Sequence, residues 1–465
     1  MTHAPLMIGV SGLRGVVGAS LTPSVAARFA AAFASTLPPR SRVVLARDGR
    51  VGGEAFHAAA LSGLLASGVD VMDAGVASTP TTAILGEHLK ARGGVVITAS
   101  HNPQEWNGLK LMAASPRLAA PPEAAAREVI ARFHADCAPL APWKNVGRVV
   151  PLRVDPVAVH ADLIVERLHE LDLLKPIRKA RIRVVVDSVN ASGAAGARAL
   201  MNALRVDLVP LYAETTGRFP HPPEPLAENL GVLRRRVRSS GADLGLAQDP
   251  DADRLALVDH KGRYIGEEYT LALSAWSLLE ARPHARERTL VTNLSTSRMV
   301  DDLAARHASR VLRAPVGEAN VVAVLGPRGF LGGEGNGGVI WPAVTMIRDS
   351  LAAAALVLGL LARRDESLAD LVASIPSYAI VKRKVPLSRK EDAAEALSAL
   401  ARAHQGSASV DTRDGVRVDW PEAWLHVRPS NTEPILRLIA EAPGRAQAEA
   451  ILDEAARVVG YTDAR

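Results

Sequence analysis

The segment TASHNP places a serine directly after a short apolar run. The run at residues 94–97 reads GVVI and predicts a buried strand, so Ser100 is expected at the end of that strand as an exposed nucleophile. His101 and Asn102 add hydrogen-bonding groups beside its hydroxyl, and Pro103 stiffens the segment, which we call the serine loop. Because a free serine is a poor nucleophile, it needs a base or a phosphoryl group already attached. An ordinary capped turn uses the same residue types and is the alternative.

The segment DPDADR, which we call the aspartate loop, spaces three carboxylates at alternate positions. Asp249, Asp251 and Asp253 lie between two apolar runs that predict strands, and carboxylates in this pattern can converge on one hard cation. An EF-hand calcium loop is excluded, because it needs Gly and Glu where this chain has Arg254 and His260. Arg254 would suit a phosphate held next to the cation. A solvated acidic turn is the alternative.

Two further segments carry groups that can bind a sugar or a phosphate. The glycine loop, GGEGNGG at residues 332–338, offers Glu334 and Asn336 as readers of sugar hydroxyls, and it matches neither a Walker A nor a dinucleotide fingerprint. The arginine loop, RPSNTEP from Arg428 onward, gathers a guanidinium, hydroxyls and an amide. That composition can hold a phosphate dianion from several sides, although a plain turn could also use it.

The elements that must position these loops repeat the order strand, helix, strand. Runs rich in Val, Ile and Leu at residues 43–46, 183–187 and 289–292 each precede a helical pattern and a second apolar strand. We therefore predict an α/β protein with three similar mixed-sheet domains and a smaller C-terminal α+β domain. Each domain carries one loop, and the predicted bounds are 1–150 with the serine loop, 151–256 with the aspartate loop, 257–374 with the glycine loop and 375–465 with the arginine loop.

Length and composition fit a folded protein with several domains. The 465 residues suffice for three or four domains of about 100–200 residues each. The aromatic fraction of 4% argues against a stacking surface for single-stranded nucleic acid. The net charge of +6 admits an anionic partner, and because the arginines are scattered we expect a phosphorylated small molecule and no nucleic acid.

Three features bear on the compartment. Cys137 is the single cysteine, so no internal disulfide can form, and a reducing compartment fits. The N-terminal residues lack the pattern of a secretory signal, and the longest apolar run, at residues 351–361, is too short to span a bilayer. We expect a cytoplasmic protein without a membrane partner, as a monomer or a homodimer.

Taken together and in this order, the four loops resemble those of the α-D-phosphohexomutase family, which includes phosphoglucomutases, phosphomannomutases and phosphoglucosamine mutases. The segment SGLRG with Arg14 and the segment NGLK with Lys110 resemble further motifs of the family, and the likeness covers the whole chain. The resemblance implies four domains around a central cleft, each contributing one loop. It also implies an intramolecular phosphotransferase that interconverts hexose 1-phosphate and hexose 6-phosphate.

The resemblance also implies roles for single residues. Ser100 would carry a phosphoryl group, donate it to the sugar and recover one from a bisphosphorylated hexose, which is therefore both intermediate and activator. Lys110 resembles the candidate general base of the family. The implied ligands of Mg²⁺ are Asp249, Asp251, Asp253 and an oxygen on Ser100. The residues implied to surround the transferring phosphoryl are Arg14, His101 and Arg254. Those implied to hold the other phosphate are Arg428, Ser430, Asn431 and Thr432.

The glycine loop departs from the common bacterial pattern of the family. Asn336 stands where a serine is usual, and Gly338 stands where a histidine is proposed to assist proton transfer. GEGNGG looks like the version in archaeal-type members, and it slightly favours glucosamine phosphate as substrate, with phosphomannomutase or phosphoglucomutase specificity as the alternative. A sugar-phosphate binding protein without turnover and a phosphatase are the other readings. An assay that follows both conversion of a sugar 1-phosphate and release of free phosphate distinguishes them. Conversion without free phosphate indicates a mutase, free phosphate indicates a phosphatase, and neither indicates a binding protein.

Overall fold

The computed structural model describes residues 5–389, 391–430 and 434–460, whose strands form four sheets. The strands of the first sheet are β1 (Met7–Gly9), β2 (Gly12–Val16), β3 (Arg42–Arg47), β4 (Asp70–Val76), β5 (Gly93–Ile97), β6 (Trp106–Ala114), β7 (Leu118–Ala119) and β8 (Val149–Val150). Their order is β1, β2, β6, β5, β3, β4, β8, and β7 pairs with β6. The helices of this region are α1 (Pro23–Ser35), α2 (Gly53–Ala66), α3 (Thr79–His88) and α4 (Glu123–His134), followed by a short 3₁₀ turn at Trp143–Asn145.

The second and third sheets have four strands each and share one topology. The second region contains α5 (Pro156–Glu170), α6 (Leu174–Ala180), β9 (Arg183–Asp187), α7 (Gly193–Leu204), β10 (Asp207–Leu211), α8 (Gly231–Ser240), β11 (Leu244–Gln248) and β12 (Leu255–Asp259). The third contains α9 (Glu268–Ala281), β13 (Thr289–Asn293), α10 (Met299–Arg306), β14 (Arg310–Ala314), α11 (Glu318–Leu325), β15 (Leu331–Glu334), β16 (Gly338–Ile340), α12 (Ser350–Arg364) and α13 (Leu368–Ala373). The strand orders are β10, β9, β11, β12 and β14, β13, β15, β16.

The first three sheets place their loops at equivalent points. In the second and third sheets three parallel strands adjoin an antiparallel fourth, and β4, β3, β5 and β6 of the first sheet repeat this arrangement. The serine, aspartate and glycine loops each connect the third strand to the fourth, as β5 to β6, β11 to β12 and β15 to β16. All three therefore follow the carboxyl end of a parallel strand, where open α/β sheets bind their ligands.

The fourth sheet is antiparallel throughout and carries the arginine loop. Its region contains β17 (Ala379–Pro386), α14 (Asp392–His404), β18 (Ser409–Asp411), β19 (Val416–Asp419), β20 (Trp424–Pro429), β21 (Ile435–Ala442) and α15 (Arg445–Val458). The strand order is β17, β21, β20, β19, β18, and the arginine loop joins β20 to β21. These observations confirm the predicted fold class of three mixed-sheet α/β domains and a smaller α+β domain.

One predicted boundary is wrong. The boundary at residue 256 falls inside β12, which pairs with β11 along its whole length and so belongs to the second sheet. A boundary there would interrupt the ladder of hydrogen bonds between β11 and β12. The boundaries at residues 150 and 374 stay predictions.

Helix α12 lies in the apolar core that the second and third domains share. The helix begins after Asp349, whose side chain accepts a hydrogen bond from the backbone N–H of Leu351. The apolar run at residues 351–361 is buried along its whole length. Its apolar neighbours come from elements of both domains, including α5, α7 and α9. In the described part of the chain, no helix is both long enough and apolar enough to cross a membrane.

Candidate active site

The serine loop holds Ser100 in a backbone conformation that serine seldom adopts. Its φ of 50° lies in the left-handed region, and such strain concentrates at functional sites. The N–H of Ser100 donates to Thr98 Oγ1 at 2.8 Å, and Thr98 in turn donates to Asp48 Oδ2 at 2.7 Å. Ser100 is only 1% exposed, so the expectation of an exposed nucleophile is wrong, and its hydroxyl lies against Asp249 of the aspartate loop.

A buried arginine, Arg50, which the sequence analysis missed, holds the backbone of the serine loop in place. Arg50 donates to the backbone carbonyl of Ser100 and, at 2.7–3.0 Å, to the carbonyls of Asn102, Pro103 and Trp106. Its Nε lies 3.1 Å from Asp48 Oδ2, so the guanidinium is itself paired. The signal was available, since Asp48 and Arg50 follow an apolar strand just as the serine loop does.

The Ser100 hydroxyl reaches the aspartate loop of the next domain. Ser100 Oγ donates to Asp249 Oδ2 at 2.8 Å, and His101 Nδ1 lies 3.5 Å from the same hydroxyl. Burial lowers the pKa of His101 to about 2, and the nearby cations Arg254 and Arg14 act in the same direction. His101 is therefore neutral, so its ring can form a hydrogen bond with a phosphoryl group without adding a charge to the site.

The aspartate loop brings its three carboxylates together. Asp249, Asp251 and Asp253 are fully buried, and one oxygen of each lies within 4.8 Å of the others. Asp249 Oδ1 accepts from the backbone N–H groups of Asp253 and Arg254 at 3.0 and 3.1 Å. Burial raises the pKa of Asp249 well above its usual range, and the carboxylates of Asp253 and Asp251 raise it further.

The donor set of these aspartates fits a hard divalent cation. Asp251 Oδ2 accepts from Thr79 Oγ1 at 2.6 Å, and Asp253 Oδ2 accepts from Lys110 Nζ at 2.5 Å. The other oxygens, Asp251 Oδ1 and Asp253 Oδ1, are buried without a hydrogen-bond partner in the described residues. Buried carboxylate oxygens without partners are costly, and a cation with oxygen ligands would satisfy both.

Lys110 lies on β6 among carboxylates of two other domains. Its Nζ is 2.5 Å from Asp253 Oδ2, 3.5 Å from Asp251 Oδ2 and 3.7 Å from Glu318 Oε2. Burial alone would lower the pKa of Lys110, but the charges of Asp253, Glu318 and Asp251 outweigh it and raise that pKa above its usual range. These carboxylates therefore favour the protonated, positively charged form of the amine.

Two predicted arginines flank the serine and aspartate loops. Arg14 on β2 donates to Asn102 Oδ1 of the serine loop at 3.1 Å. Arg254 Nε lies 3.9 Å from Asp253 Oδ1, and its NH1 lies 4.0 Å from Glu224 Oε1. The same Glu224 oxygen is 3.9 Å from His101 Nε2. Glu224 was not identified from the sequence, because it lies in an irregular Pro-rich segment without a motif.

The glycine loop presents Glu334 as a well-supported carboxylate. Glu334 Oε1 accepts from Asn293 Nδ2 at 2.8 Å and from the N–H of Gly317 at 3.1 Å, and Oε2 accepts from Arg348 NH1 at 2.7 Å. A carboxylate has about four acceptor positions, so one is left for a ligand hydroxyl. Asn336 Oδ1 accepts from the N–H of Gly338 within the loop at 3.2 Å.

Arg348 and Glu318 complete the charged network and were also missed by the sequence analysis. Arg348 NH2 lies 2.6 Å from Asp253 Oδ2, and the Arg348 backbone N–H donates to Glu318 Oε1 at 2.9 Å. Burial alone would raise the pKa of Asp253, but the cations Arg348, Lys110 and Arg254 hold it well below its usual range. Both residues stand next to helix starts, Glu318 as the first residue of α11 and Arg348 before the cap of α12.

The last domain contributes a row of cations around the arginine loop. Arg428 on β20 and Lys384 on β17 both lie opposite Arg437 of β21, so three cations adjoin one another across the sheet. Like charges in this arrangement destabilise a sheet, and a bound anion would offset the repulsion. Arg428 Nε lies 3.5 Å from Asp414 Oδ2, and Ser430 is buried. Asn431 and Thr432 lie outside the described residues.

One cavity of about 610 Å³ connects the glycine loop to this row of cations. It is large enough for a phosphorylated hexose, since small-ligand sites typically measure about 300–1,000 Å³. Its polar lining comes from several elements of the cleft and includes Glu224, Glu268, Asn293, Ser295, Glu334, Asn336, Lys382, Lys384, Arg428 and Arg437.

Comparisons with known proteins agree along the whole chain. Models of the family described as phosphoglucomutase/phosphomannomutase match as alpha/beta/alpha domain I at residues 5–136, domain II at 160–262, domain III at 267–378 and the C-terminal domain at 381–458. A phosphoglucomutase/phosphomannomutase of Thermococcus kodakarensis is 35% identical over 454 residues, which cover 96% of this chain and 97% of that protein. A probable phosphoglucosamine mutase of Methanopyrus kandleri is 36% identical over 460 residues, 97% of each chain.

A solved structure shows the same architecture. The crystal structure of a phosphoglucomutase/phosphomannomutase family protein from Burkholderia thailandensis superposes with a TM-score of 0.79 at 26% identity, over 98% of this chain and 99% of that one. Since all four domain models match in order and the relatives cover nearly the whole length, the chain belongs to the phosphoglucomutase/phosphomannomutase family of phosphohexose mutases.

Proposed function

We propose that this enzyme interconverts hexose 1-phosphate and hexose 6-phosphate through a phosphorylated Ser100 and a bisphosphorylated hexose. The observation that carries the proposal is the contact of Ser100 Oγ with Asp249 Oδ2 at 2.8 Å, inside a cluster of three buried aspartates. A serine in that position meets the charge requirements of phosphoryl transfer, because cationic groups surround the place where a phosphoryl would sit.

The proposed transfer exchanges one oxygen–phosphorus bond for another. The bond between Ser100 Oγ and phosphorus breaks, and a bond from a sugar hydroxyl oxygen to the same phosphorus forms. The hydroxyl proton passes to a base, and the freed Ser100 oxygen takes up a proton to become a hydroxyl again. Asp249, Asp251 and Asp253 would hold Mg²⁺, which when bound offsets the negative charge of the transferring phosphoryl. Arg14, His101 and Arg254 line the same part of the cleft and would hold the phosphoryl oxygens.

Lys110 is the proposed proton carrier of both half-reactions. Its protonated amine suits donation to the sugar oxygen when the phosphoryl moves from the sugar to Ser100. The neutral amine that results would accept the hydroxyl proton in the opposite transfer. The expected role of Lys110 as general base stays a proposal, and its amine lies against Asp253, Asp251 and Glu318.

The phosphate that is not transferred would bind to the cations of the last domain. Arg428 and Ser430, with Asn431 and Thr432 by the family resemblance, would contact its oxygens, and Arg437 and Lys384 add positive charge beside them. Glu334 and Asn336 would contact sugar hydroxyls between the two phosphates. Turning the bisphosphorylated sugar around in the cleft exchanges its two ends, so one reaction centre serves both half-reactions.

Glucosamine phosphate is the proposed preferred sugar, with glucose phosphate also accepted. The name of the relative from Methanopyrus kandleri and the sequence of the glycine loop support this choice. A permissive pocket discriminates between substrates by about 10–200-fold, whereas a strict hydroxyl reader discriminates by about 10⁴-fold or more. The test is to measure kcat/KM for the 1-phosphates of glucose, mannose, glucosamine and N-acetylglucosamine, together with release of free phosphate.

We expect formation of 6-phosphates without free phosphate, and less than about 200-fold preference between the glucosamine and glucose compounds. Release of free phosphate as the main product would identify a phosphatase, and binding without turnover would identify a binding protein. Either result would refute the mutase proposal.

A further inference from the structure

Arg348 joins two loops that belong to different domains. One guanidinium nitrogen contacts Glu334 of the glycine loop at 2.7 Å, and another contacts Asp253 of the aspartate loop at 2.6 Å. The side chain is 9% exposed, so these ion pairs are largely shielded from water. A planar guanidinium can bind two carboxylates in fixed directions, which a lysine ammonium does not.

Gly338 provides the space through which this side chain passes. A Cβ atom on residue 338 would come within 2.2 Å of Arg348 Cδ and 3.0 Å of Arg348 Cγ. Gly338 is not among the residues with positive φ, so its backbone conformation does not itself require glycine. Arg348 would have to move away from a side chain at this position, and such a move would disturb its contacts with Glu334 and Asp253. A side chain at residue 338 and the observed position of Arg348 therefore exclude each other.

We propose that Arg348 is a positioning residue for both loops, and that residue 338 is glycine to make room for it. Arg348 orients Glu334 so that its free acceptor position faces the sugar, and it occupies Asp253 Oδ2 so that Asp253 Oδ1 faces the cation site. The kinetic part of this inference rests on the proposed mutase function, whereas its steric part does not.

The kinetic test is a double-mutant cycle between Arg348→Gln and Glu334→Gln. If Arg348 acts through both carboxylates, Arg348→Gln should lower kcat/KM by about 10²-fold in the wild type and by a smaller factor, about tenfold, in the Glu334→Gln background, where only the contact with Asp253 remains. Arg348→Lys keeps the positive charge but lacks the planar guanidinium, so its kcat/KM should still be about tenfold or more below that of the wild type. Arg364→Gln, at the C-terminal end of α12 and away from both loops, is the control. Equal losses in both backgrounds would refute the positioning role.

The steric test measures thermal unfolding and needs no turnover. Gly338→Ala should lower the unfolding midpoint by about 2–4 °C in the wild type and by less than about 1 °C in the Arg348→Ala background. Gly444→Ala is the control, because no atom lies within 4 Å of the added Cβ. Equal shifts in both backgrounds would overturn the steric part. If Arg348→Ala does not fold, the Arg348→Lys comparison still decides the positioning role. A wild-type protein without mutase activity would refute the proposed function and leave this unfolding test intact.

Discussion

Replacing Thr79 with valine should weaken binding of a divalent cation, although Thr79 is not a candidate ligand. Thr79 Oγ1 donates to Asp251 Oδ2 at 2.6 Å, and both residues are fully buried. Valine replaces the hydroxyl by a methyl group and keeps the backbone hydrogen bond from residue 79 to Asp251 O. A hydrogen bond to a charged group contributes about 1.5–3 kcal/mol, which corresponds to about 10–150-fold in an equilibrium constant. Losing a group that orients a metal ligand typically costs about 10–100-fold, so we expect a decrease in that range.

The assay is a titration of the purified protein with Mn²⁺, followed by electron paramagnetic resonance of the free ion. Thr82→Val is the matched control, since Thr82 lies on the same helix, is equally buried and donates to a backbone carbonyl, Ser78 O, at 2.8 Å. We expect Thr82→Val to bind Mn²⁺ like the wild type. Wild-type affinity in Thr79→Val, or equal weakening in both variants, would refute the role of this hydrogen bond.

Four further predictions concern the proposed site. Ser100→Ala should fold normally and lose at least about 10³-fold in kcat, and wild-type turnover with added bisphosphorylated sugar would contradict the phosphoserine mechanism. Activity should vanish after removal of bound metal by a chelator and return with Mg²⁺, and Asp251→Asn should weaken both Mn²⁺ binding and turnover; full activity of the metal-free enzyme would refute the assignment. Arg428→Ala should mainly raise KM, because it removes a phosphate contact at the last domain, and unchanged KM and kcat would show a structural role. Burial raises the pKa of Glu268 to about 8, so the contribution of this residue to the free energy of unfolding is complete below about pH 4.5 and is lost as pH rises through about 8. The free energy of unfolding of Glu268→Gln, relative to that of the wild type, should therefore increase from pH 5 to pH 9. Parallel pH profiles of the two unfolding free energies would contradict this reasoning.

The predicted strands agree closely with the observed ones where the apolar runs are short and rich in valine. The run predicted at residues 183–187 is β9, and the run at 289–292 lacks only the last residue of β13. Such strands are buried on both faces, so local sequence carries most of the information. The boundary at 256 was wrong because a polar loop suggested a domain end, whereas β12 returns to the same sheet after that loop.

The sequence by itself determined the family, the fold class and the residue types that carry the proposed chemistry, because these reside in short contiguous segments. Only the tertiary structure decided which groups hold those segments in place: Arg50 beneath the serine loop, Thr79 behind Asp251, and Arg348 between Glu334 and Asp253. Arg348 meets Asp253 across 95 positions of sequence, and Thr79 meets Asp251 across 172. Long polar side chains leave no periodic signal along the chain, and a buried charge selects its partner by distance and direction in the folded protein.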